Sequence, residues 1–217
     1  MNPLLLDKLN THPELLSDEA SQQYTITDVS WETYEALLKD LGDNFPELRV
    51  HYLEGVLEIT MPSRQHEVFK ENIGRLLGVY FEETRTRFYS LGSTTFRNEA
   101  KRRGAEPDLS FCIGTNKALP EIAIEVVKTS GGIDKLAIYQ GLSVAEVWFW
   151  QENYFQLYHL RNQGYEQVEF SQFLPELDLN LLASYVTYLE PLDAVLEYRQ
   201  ALTQTFVKQK DDSNQFT

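Results

Sequence analysis

The sequence has little of three things that would narrow its function at once: cysteine, positive charge and long apolar runs. Cys112 is the single cysteine among 217 residues, which excludes an internal disulfide and argues against a cysteine-based metal site. Lysine and arginine number 19 against 33 aspartates and glutamates, so the formal net charge is -14. A broad phosphate-tracking surface needs the opposite balance, because nucleic-acid affinity rests on basic side chains that neutralise phosphates.

No apolar run approaches the length of a membrane span, and the three leucines at 4–6 are too few for the apolar core of a signal peptide. We therefore expect a cytoplasmic protein that makes no contact with a membrane. Hydrophobic residues still make up 42% of the chain and aromatic residues 12%. That composition supports a packed core and argues against disorder.

Hydrophobic periodicity predicts a mixed β-sheet flanked by helices, in the α/β (α+β) class. A first helix begins after Ser30 and ends near Gly42, and a second covers roughly 64–84. Between them, RVHYLEGVLEITMP (49–62) predicts a hairpin that turns at Glu54-Gly55.

The second half of the chain predicts a parallel crossover. Strands are expected around 88–96, 106–113, 121–127 and 145–151, with a helix over 133–141 joining the last two. An antiparallel pair and a helix from about 184 to 204, interrupted near Pro191, follow. The patterns suggest an N-terminal helical arm (1–44), a core (45–185), and a C-terminal helix with a polar tail (186–217).

Two carboxylates occupy predicted strands in the middle of the core, Asp108 in one strand and Glu125 in the next. An ionised carboxylate flanked by Ile124 and Val126 is costly to desolvate unless it is paired or binds a cation. Adjacent strands can bring both carboxylates to one hard cation such as Mg²⁺, which prefers oxygen ligands. Alternatively, Asp108 caps a turn and Glu125 pairs with an internal lysine or arginine.

Basic residues cluster just before Asp108, at Arg97, Lys101, Arg102 and Arg103. One interpretation is a local patch that steers and binds the phosphates of a substrate. The other is an exposed loop with ordinary surface charge, which is the usual meaning of a charge run.

Three blocks of sequence resemble one known family. The central block EPDLSF…EIAIEVVKTSGGIDKLAIYQGLSVAEVWFW is similar to the Uma-two (Uma2) family, a restriction-endonuclease-like domain of the PD-(D/E)XK nuclease superfamily. YLEGVLEITMPSRQHE resembles the early hairpin of that family and its Pro-Ser-x-x-His helix start, and FLPELDLNLL resembles its closing segment. Together the blocks cover roughly residues 45–185.

The resemblance implies a restriction-endonuclease-like fold and a metal-dependent DNA endonuclease. Asp108 and Glu125 would then hold Mg²⁺ or Mn²⁺, helped by the backbone carbonyl of Val126. Such an ion activates water and neutralises charge that develops on a phosphate.

The lysine departs from the superfamily pattern, which places it two residues after the acidic residue, on the same face of the strand. That position is Val127 here. Lys128 should point away from Glu125, whereas Lys135 begins the next helix, where similar family members also carry a lysine. Alternatively, Lys135 only leads an apolar stripe and extends to solvent.

Four further residues are candidates for support of the metal ligands: Glu106, His66, Glu67 and Lys128. Glu106 should share a face with Asp108, or else it ends an exposed loop. His66 is a candidate ligand or, more often at such a position, a core or capping histidine. Glu67 lies off the apolar stripe of its helix and is either a solvated residue or an acidic residue recruited to the site.

Two functions from different classes remain open on the sequence. The first is a metal-dependent endonuclease that hydrolyses phosphodiester bonds of DNA. The second is a non-catalytic binding or interaction module on the same fold, which the displaced lysine and the charge of -14 favour. We also expect a homodimer, because symmetric dimers are the commonest oligomers and nuclease-like domains that cut duplex DNA often pair.

Overall fold

The computed structural model describes residues 22–41, 45, 48–127 and 132–214, with side chains described as far as Thr205. The helices within these ranges are α1 (Trp31–Leu41), α2 (Arg64–Thr84), α3 (Lys135–Leu142), α4 (Leu179–Val186) and α5 (Pro191–Asn214). The strands are β1 (Gln22–Ile26), β2 (Arg49–Leu53), β3 (Val56–Met61), β4 (Phe88–Ser90), β5 (Phe96–Asn98), β6 (Arg103–Ala105), β7 (Leu109–Ile113), β8 (Ile122–Val126), β9 (Glu146–Gln151), β10 (Tyr154–Arg161) and β11 (Gly164–Val168).

A mixed six-stranded sheet has the order β11-β10-β9-β8-β7-β4. Its strands pair antiparallel except β8 and β9, which are parallel and are joined through α3. The predicted crossover and the predicted α/β class are thus confirmed. The segment predicted as one strand at 88–96 instead contains the short strand β4 and the first residue of β5, because the chain turns at Gly92, whose φ is 58°.

A second sheet has five strands in the order β1-β3-β2-β6-β5, all paired antiparallel. Its centre is the predicted hairpin, which turns at Glu54-Gly55 with φ angles of 46° and 99°. Strand β1 was not predicted. It has only a weak apolar alternation in QQYTI, and its place is set by pairing with β3, where Tyr24 faces Ile59.

The six-stranded sheet separates two cores. On one face, α2, α4 and α5 cover Ile122, Ile124 and Val126 of β8 together with Trp148 and Trp150 of β9. On the other face, Ala123 packs with the apolar side of α3, in a cluster that includes Ile138, Tyr139 and Leu142. Because side chains alternate along a strand, Glu125 is turned toward α3 and the five-stranded sheet.

The C-terminal helices differ from the prediction of one interrupted helix from about 184. The first, α4, begins at Leu179 because the Asp178 side chain caps it, accepting hydrogen bonds from the backbone N–H groups of Asn180 and Leu181, both at 2.9 Å. The second, α5, begins at Pro191. Proline suits the first position of a helix because its missing N–H has no partner there in any case.

Packing at the hairpin leaves no room for a side chain on Gly104 of β6. A Cβ there would overlap the hydroxyl and ring of Tyr34, a fully buried residue that stacks on Tyr52 with ring centroids 4.8 Å apart. We expect Gly104→Ala to lower the free energy of unfolding by about 1–3 kcal/mol, the usual cost of overpacking. Chemical denaturation measures it.

Gly78→Ala is the matched control, since no atom lies within 4 Å of a Cβ at this position of α2. Alanine is a better helix former than glycine, so this variant should gain up to about 1 kcal/mol. Equal destabilisation by the two substitutions would contradict the packing described here.

Candidate active site

The pairing of β7 with β8 sets Asp108 beside Glu125. Leu109 is the Cα partner of Ile124 in this antiparallel pair, so Asp108, one residue before β7, lies opposite Glu125. Their exposed fractions are 3% and 1%. Both carboxylates line one cavity of about 390 Å³. The structure thus brings together the two acidic residues that the sequence singled out.

Glu125 is held by three side chains from two elements. The Lys135 Nζ donates to Oε2 at 2.6 Å, and the Tyr139 hydroxyl donates to Oε1 at 2.5 Å. These two residues are one turn apart at the start of α3, so they share a face of the helix. The third contact is His51 of β2, whose Nε2 lies 3.2 Å from Oε1. Lys135 therefore does not simply extend to solvent.

These contacts set the protonation states of Glu125, Lys135 and Tyr139. Burial alone would raise the pKa of Glu125, but its interactions with Lys135 and His51 outweigh burial and lower that pKa well below the usual range. Burial opposes the ammonium of Lys135, yet Glu125 and Asp108 raise its pKa. Burial and the nearby Glu125 raise the pKa of Tyr139 well above 10.0. The site therefore holds a carboxylate, an ammonium and a neutral phenol.

Asp108 is oriented by the start of α2. Its Oδ2 accepts hydrogen bonds from the Val126 backbone N–H at 2.8 Å and is 3.0 Å from His66 Nε2. Ser63 caps α2 and accepts from the His66 backbone N–H at 3.3 Å, which places the imidazole in the first turn. His66 thus both begins the helix and contacts the site.

Glu67 supports His66 from the side that faces away from Asp108. Its Oε1 lies 3.4 Å from His66 Nδ1, and its Oε2 accepts from Lys70 Nζ at 2.9 Å. Burial disfavours a charged His66, but Asp108 and Glu67 raise its pKa to about 9. In turn His66 lowers the pKa of Glu67 to about 2. A charged imidazole between two carboxylates results.

Sequence reasoning missed His51 and Glu58, which line the cavity. His51 and Glu58 are Cα partners in the β2–β3 hairpin, with exposed fractions of 1% and 2%. Glu58 Oε2 accepts from Gln23 Nε2 at 2.5 Å and from the Ile133 backbone N–H at 2.8 Å. The signal was present in the alternation of the hairpin, whose apolar residues Val50, Tyr52, Leu57 and Ile59 form a face of their own and leave these polar residues on the other.

The model of one protein family matches residues 31–190 of the chain. It is Uma2, described as "Putative restriction endonuclease". The chain belongs to the Uma2 family. No curated protein matches the chain at the threshold of the search. Among the described residues, no helix is long and apolar enough to cross a membrane.

Restriction-endonuclease-like proteins such as Uma2 members generally use divalent metals. Within the described residues, no three His, Cys, Asp or Glu side chains are arranged to hold a metal ion. Mg²⁺, however, usually keeps several waters and needs only one or two carboxylates. Asp108 and Glu125, with the Val126 backbone beside them in the cavity wall, fit an ion of that kind.

Glu106 does not share the surroundings of Asp108, contrary to the alternation expected from the sequence. Strand β6 ends at Ala105 and β7 begins at Leu109, so no strand runs through both acidic residues. Glu106 Oε2 accepts from the Val50 backbone N–H at 2.9 Å, and its Oε1 accepts from Thr95 at 2.7 Å. It lines a different cavity.

The predicted phosphate patch also lies away from the carboxylates, since none of Lys101, Arg102 and Arg103 lines their cavity. Arg102 donates to the Tyr52 hydroxyl at 3.0 Å, and Arg103 pairs with Glu54 at 2.8 Å. These two arginines therefore connect β6 and the turn before it to the β2–β3 hairpin of the five-stranded sheet. Lys128 lies outside the described residues.

The raised pKa of His66 makes metal-free stability depend on pH. A group whose pKa rises from 6.5 to about 9 on folding stabilises the fold fully below pH 6.5, and this contribution is lost as the pH rises through 9. In EDTA, we expect the free energy of unfolding to fall by about 2–3 kcal/mol between pH 6 and pH 9.5. Thermal denaturation across that range measures it.

His66→Gln is the comparison, because glutamine keeps a hydrogen-bond donor but does not titrate. The variant should be less stable than the wild type at pH 6 and nearly independent of pH up to 9. The raised pKa values of Lys135 and Tyr139 keep those groups from titrating in the same window. Parallel pH curves for both proteins would rule out the assigned role of His66.

Proposed function

We propose that the protein is a metal-dependent endonuclease that hydrolyses phosphodiester bonds of DNA. The observation that carries the proposal is the pair of buried carboxylates, Asp108 and Glu125, side by side in one cavity with the Lys135 ammonium 2.6 Å from Glu125. The family supports a nuclease and DNA as its substrate. Catalysis and its dependence on Mg²⁺ or Mn²⁺ are the steps that we add.

The two carboxylates, with the Val126 carbonyl, would hold the ion. When bound, a divalent cation supplies positive charge against the phosphate and makes water a better nucleophile. The carboxylates alone would repel an anionic substrate, so the charge of the site has to be inverted before DNA can enter.

The remaining side chains have separate tasks. Lys135 carries a proton and a positive charge at the cavity wall, where it can orient the attacking water or stabilise charge on the phosphorane. His66 fixes the orientation of Asp108, and Tyr139 and His51 fix that of Glu125. Hydrogen bonds of this kind to metal-binding side chains typically matter about 10–100-fold for affinity or activity.

The test is cleavage of single-stranded, duplex and branched DNA in Mg²⁺ or Mn²⁺. Asp108→Asn and Glu125→Gln keep side-chain shape but remove ligand charge, so both should abolish cleavage. Lys135→Ala should reduce it by about 100-fold or more while metal binding stays nearly unchanged, since an ammonium does not ligate metals. Glu106→Gln is the matched control, because this carboxylate is near in sequence but lines the other cavity.

The outcomes separate the two functions kept open by the sequence. Equal activity of the wild type and both amide variants would indicate a contaminating nuclease. A wild type that neither cleaves DNA nor binds metal would favour the non-catalytic binding module. Lys128→Ala should matter far less than Lys135→Ala, and the reverse result would assign the lysine role to Lys128.

We further infer that the protein is a homodimer and acts in the cytoplasm. Three leucines in and just before the start of α5 support a dimer, because Leu189, Leu192 and Leu196 are exposed to 96%, 68% and 55%. Leucines grouped in this way are typical of a contact surface, and a symmetric pair of identical patches is the commonest arrangement.

Light scattering at micromolar concentration should give the mass of a dimer. A Leu192→Glu, Leu196→Glu double variant should give the mass of a monomer. Leu119→Glu, at a position exposed to 39% before β8, is the control and should remain dimeric. A monomeric wild type would refute the dimer.

A further inference from the structure

The face of the six-stranded sheet that carries Glu125 continues past the carboxylates onto β9 and β10. Phe149 is the Cα partner of Glu125 across the parallel pair, and Gln156 is the partner of Phe149 across the next pair. Gln151 and Tyr158 lie on the same strands. All four side chains line the cavity that contains Asp108 and Glu125, and we call them the sheet wall.

The sheet wall is only partly covered, although Phe149 also packs against the cluster of Ala123 and α3. Its four residues are half-buried, whereas their strand neighbours on the opposite face, Trp148, Trp150 and Leu157, are exposed to 2% or less. The rings of Phe149 and Tyr158 pack edge to face with centroids 5.7 Å apart. Aromatic and amide groups on this wall therefore remain available to a ligand in the cavity.

The chemistry of the wall differs from that of the catalytic end. It offers two aromatic rings and two carboxamides and no charged group. Gln156 is oriented by a hydrogen bond from its Nε2 to the Tyr154 hydroxyl at 2.8 Å. Aromatic faces stack on bases of any sequence, and a glutamine amide can both donate to and accept from the edge of a base.

A nucleotide is divided as the cavity is, into a charged part, the phosphate, and a flat part with polar edges, the base. The cavity volume of about 390 Å³ lies within the range of roughly 300–1,000 Å³ for small-molecule sites. A base within a duplex has both faces stacked and its pairing edge occupied, so it cannot use such a wall. An unpaired base can.

The charge of the protein also favours an unpaired base over a duplex. The net charge is -14, and Arg102 and Arg103 are engaged with Tyr52 and Glu54. Long phosphate tracks of a duplex need many basic contacts for affinity. Stacking on aromatic side chains adds affinity for each unpaired base, so a single strand needs fewer basic contacts.

We propose that the sheet wall binds an unpaired nucleobase beside the phosphate at Asp108 and Glu125, so that the substrate is single-stranded DNA. The inference rests on the proposed function for the position of the phosphate. It adds the substrate class and the residues that select it. The planes of Phe149 and Tyr158 are turned 76° to each other, so one ring would stack on the base while the other contacts it through its edge. Gln151 and Gln156 would contact the edge of the base.

The test measures binding by fluorescence anisotropy with Ca²⁺ in place of Mg²⁺, and gels confirm that each oligonucleotide stays intact. The probes are a labelled single strand, its duplex, and the same strand with abasic sites. The single strand should bind at least about ten times more tightly than the duplex. The abasic strand should bind weakly, because it has lost the stacking groups.

Phe149→Leu and Tyr158→Leu keep apolar bulk but remove the rings. Each should weaken single-strand binding by roughly 5- to 150-fold, the range for the loss of one stacked base, and should leave abasic binding unchanged. Tyr89→Leu is the control, since Tyr89 is 43% exposed on β4 and does not line the cavity. It should bind normally.

Duplex binding as tight as single-strand binding, or normal single-strand binding by both ring variants, would overturn the inference. If Phe149→Leu does not fold, Tyr158→Leu and the abasic strand still decide the matter. Asp108-dependent cleavage that ignores strandedness and the ring variants would leave the proposed function standing without this inference. Ring-dependent binding of single strands without any cleavage would support this inference and contradict the proposed catalysis.

Discussion

The burial of Glu125 in an apolar strand is the constraint around which the rest of the site is built. A carboxylate flanked by Ile124 and Val126 and exposed to 1% would be costly to desolvate without partners. Lys135, Tyr139 and His51 provide them. They come from α3 and from the five-stranded sheet. The contacts that stabilise this one carboxylate therefore connect α3 and the five-stranded sheet to the six-stranded sheet.

A second buried carboxylate, Glu146, has different contacts and lies outside the cavity. Glu146 is fully buried, yet its oxygens are met by neutral donors and a histidine rather than by a lysine: the Trp148 indole, the Ser171 hydroxyl, the Gln172 backbone N–H and His159. It does not line the cavity of Glu125. Glu146 anchors the segment after β11 to the sheet, whereas Glu125 and Asp108 line a cavity.

The sequence predicted elements whose signal is local. The 3.6-residue period of α2, the turn at Glu54-Gly55 and the dense β-branched run of β8 each specify an element without reference to the rest of the chain. The proximity of Asp108 and Glu125 followed from the pairing of two consecutive strands, although Asp108 lies one residue before its strand. Strand β1 could not be predicted, because its position depends on the partner strand β3 rather than on its own pattern.

The rest of the site depends on contacts between distant segments. His51 and Glu58 reach the cavity only because the two sheets meet there, and no spacing of residues along the chain predicts that contact. Glu106 was misplaced because alternation was assumed to continue through Pro107, where no strand runs. Helix geometry allowed Lys135 either to return to the site or to extend to solvent, and only its contact with Glu125 distinguishes the two.

The central claim is that Asp108 and Glu125 together hold a divalent cation. Isothermal titration calorimetry of Mg²⁺ or Mn²⁺ into the purified protein tests it without any assumption about substrate. The account predicts one ion bound per chain by the wild type, and greatly weakened binding by Asp108→Asn and by Glu125→Gln, with Glu106→Gln like the wild type. Absence of binding by the wild type, or equal binding by the amide variants, would contradict it.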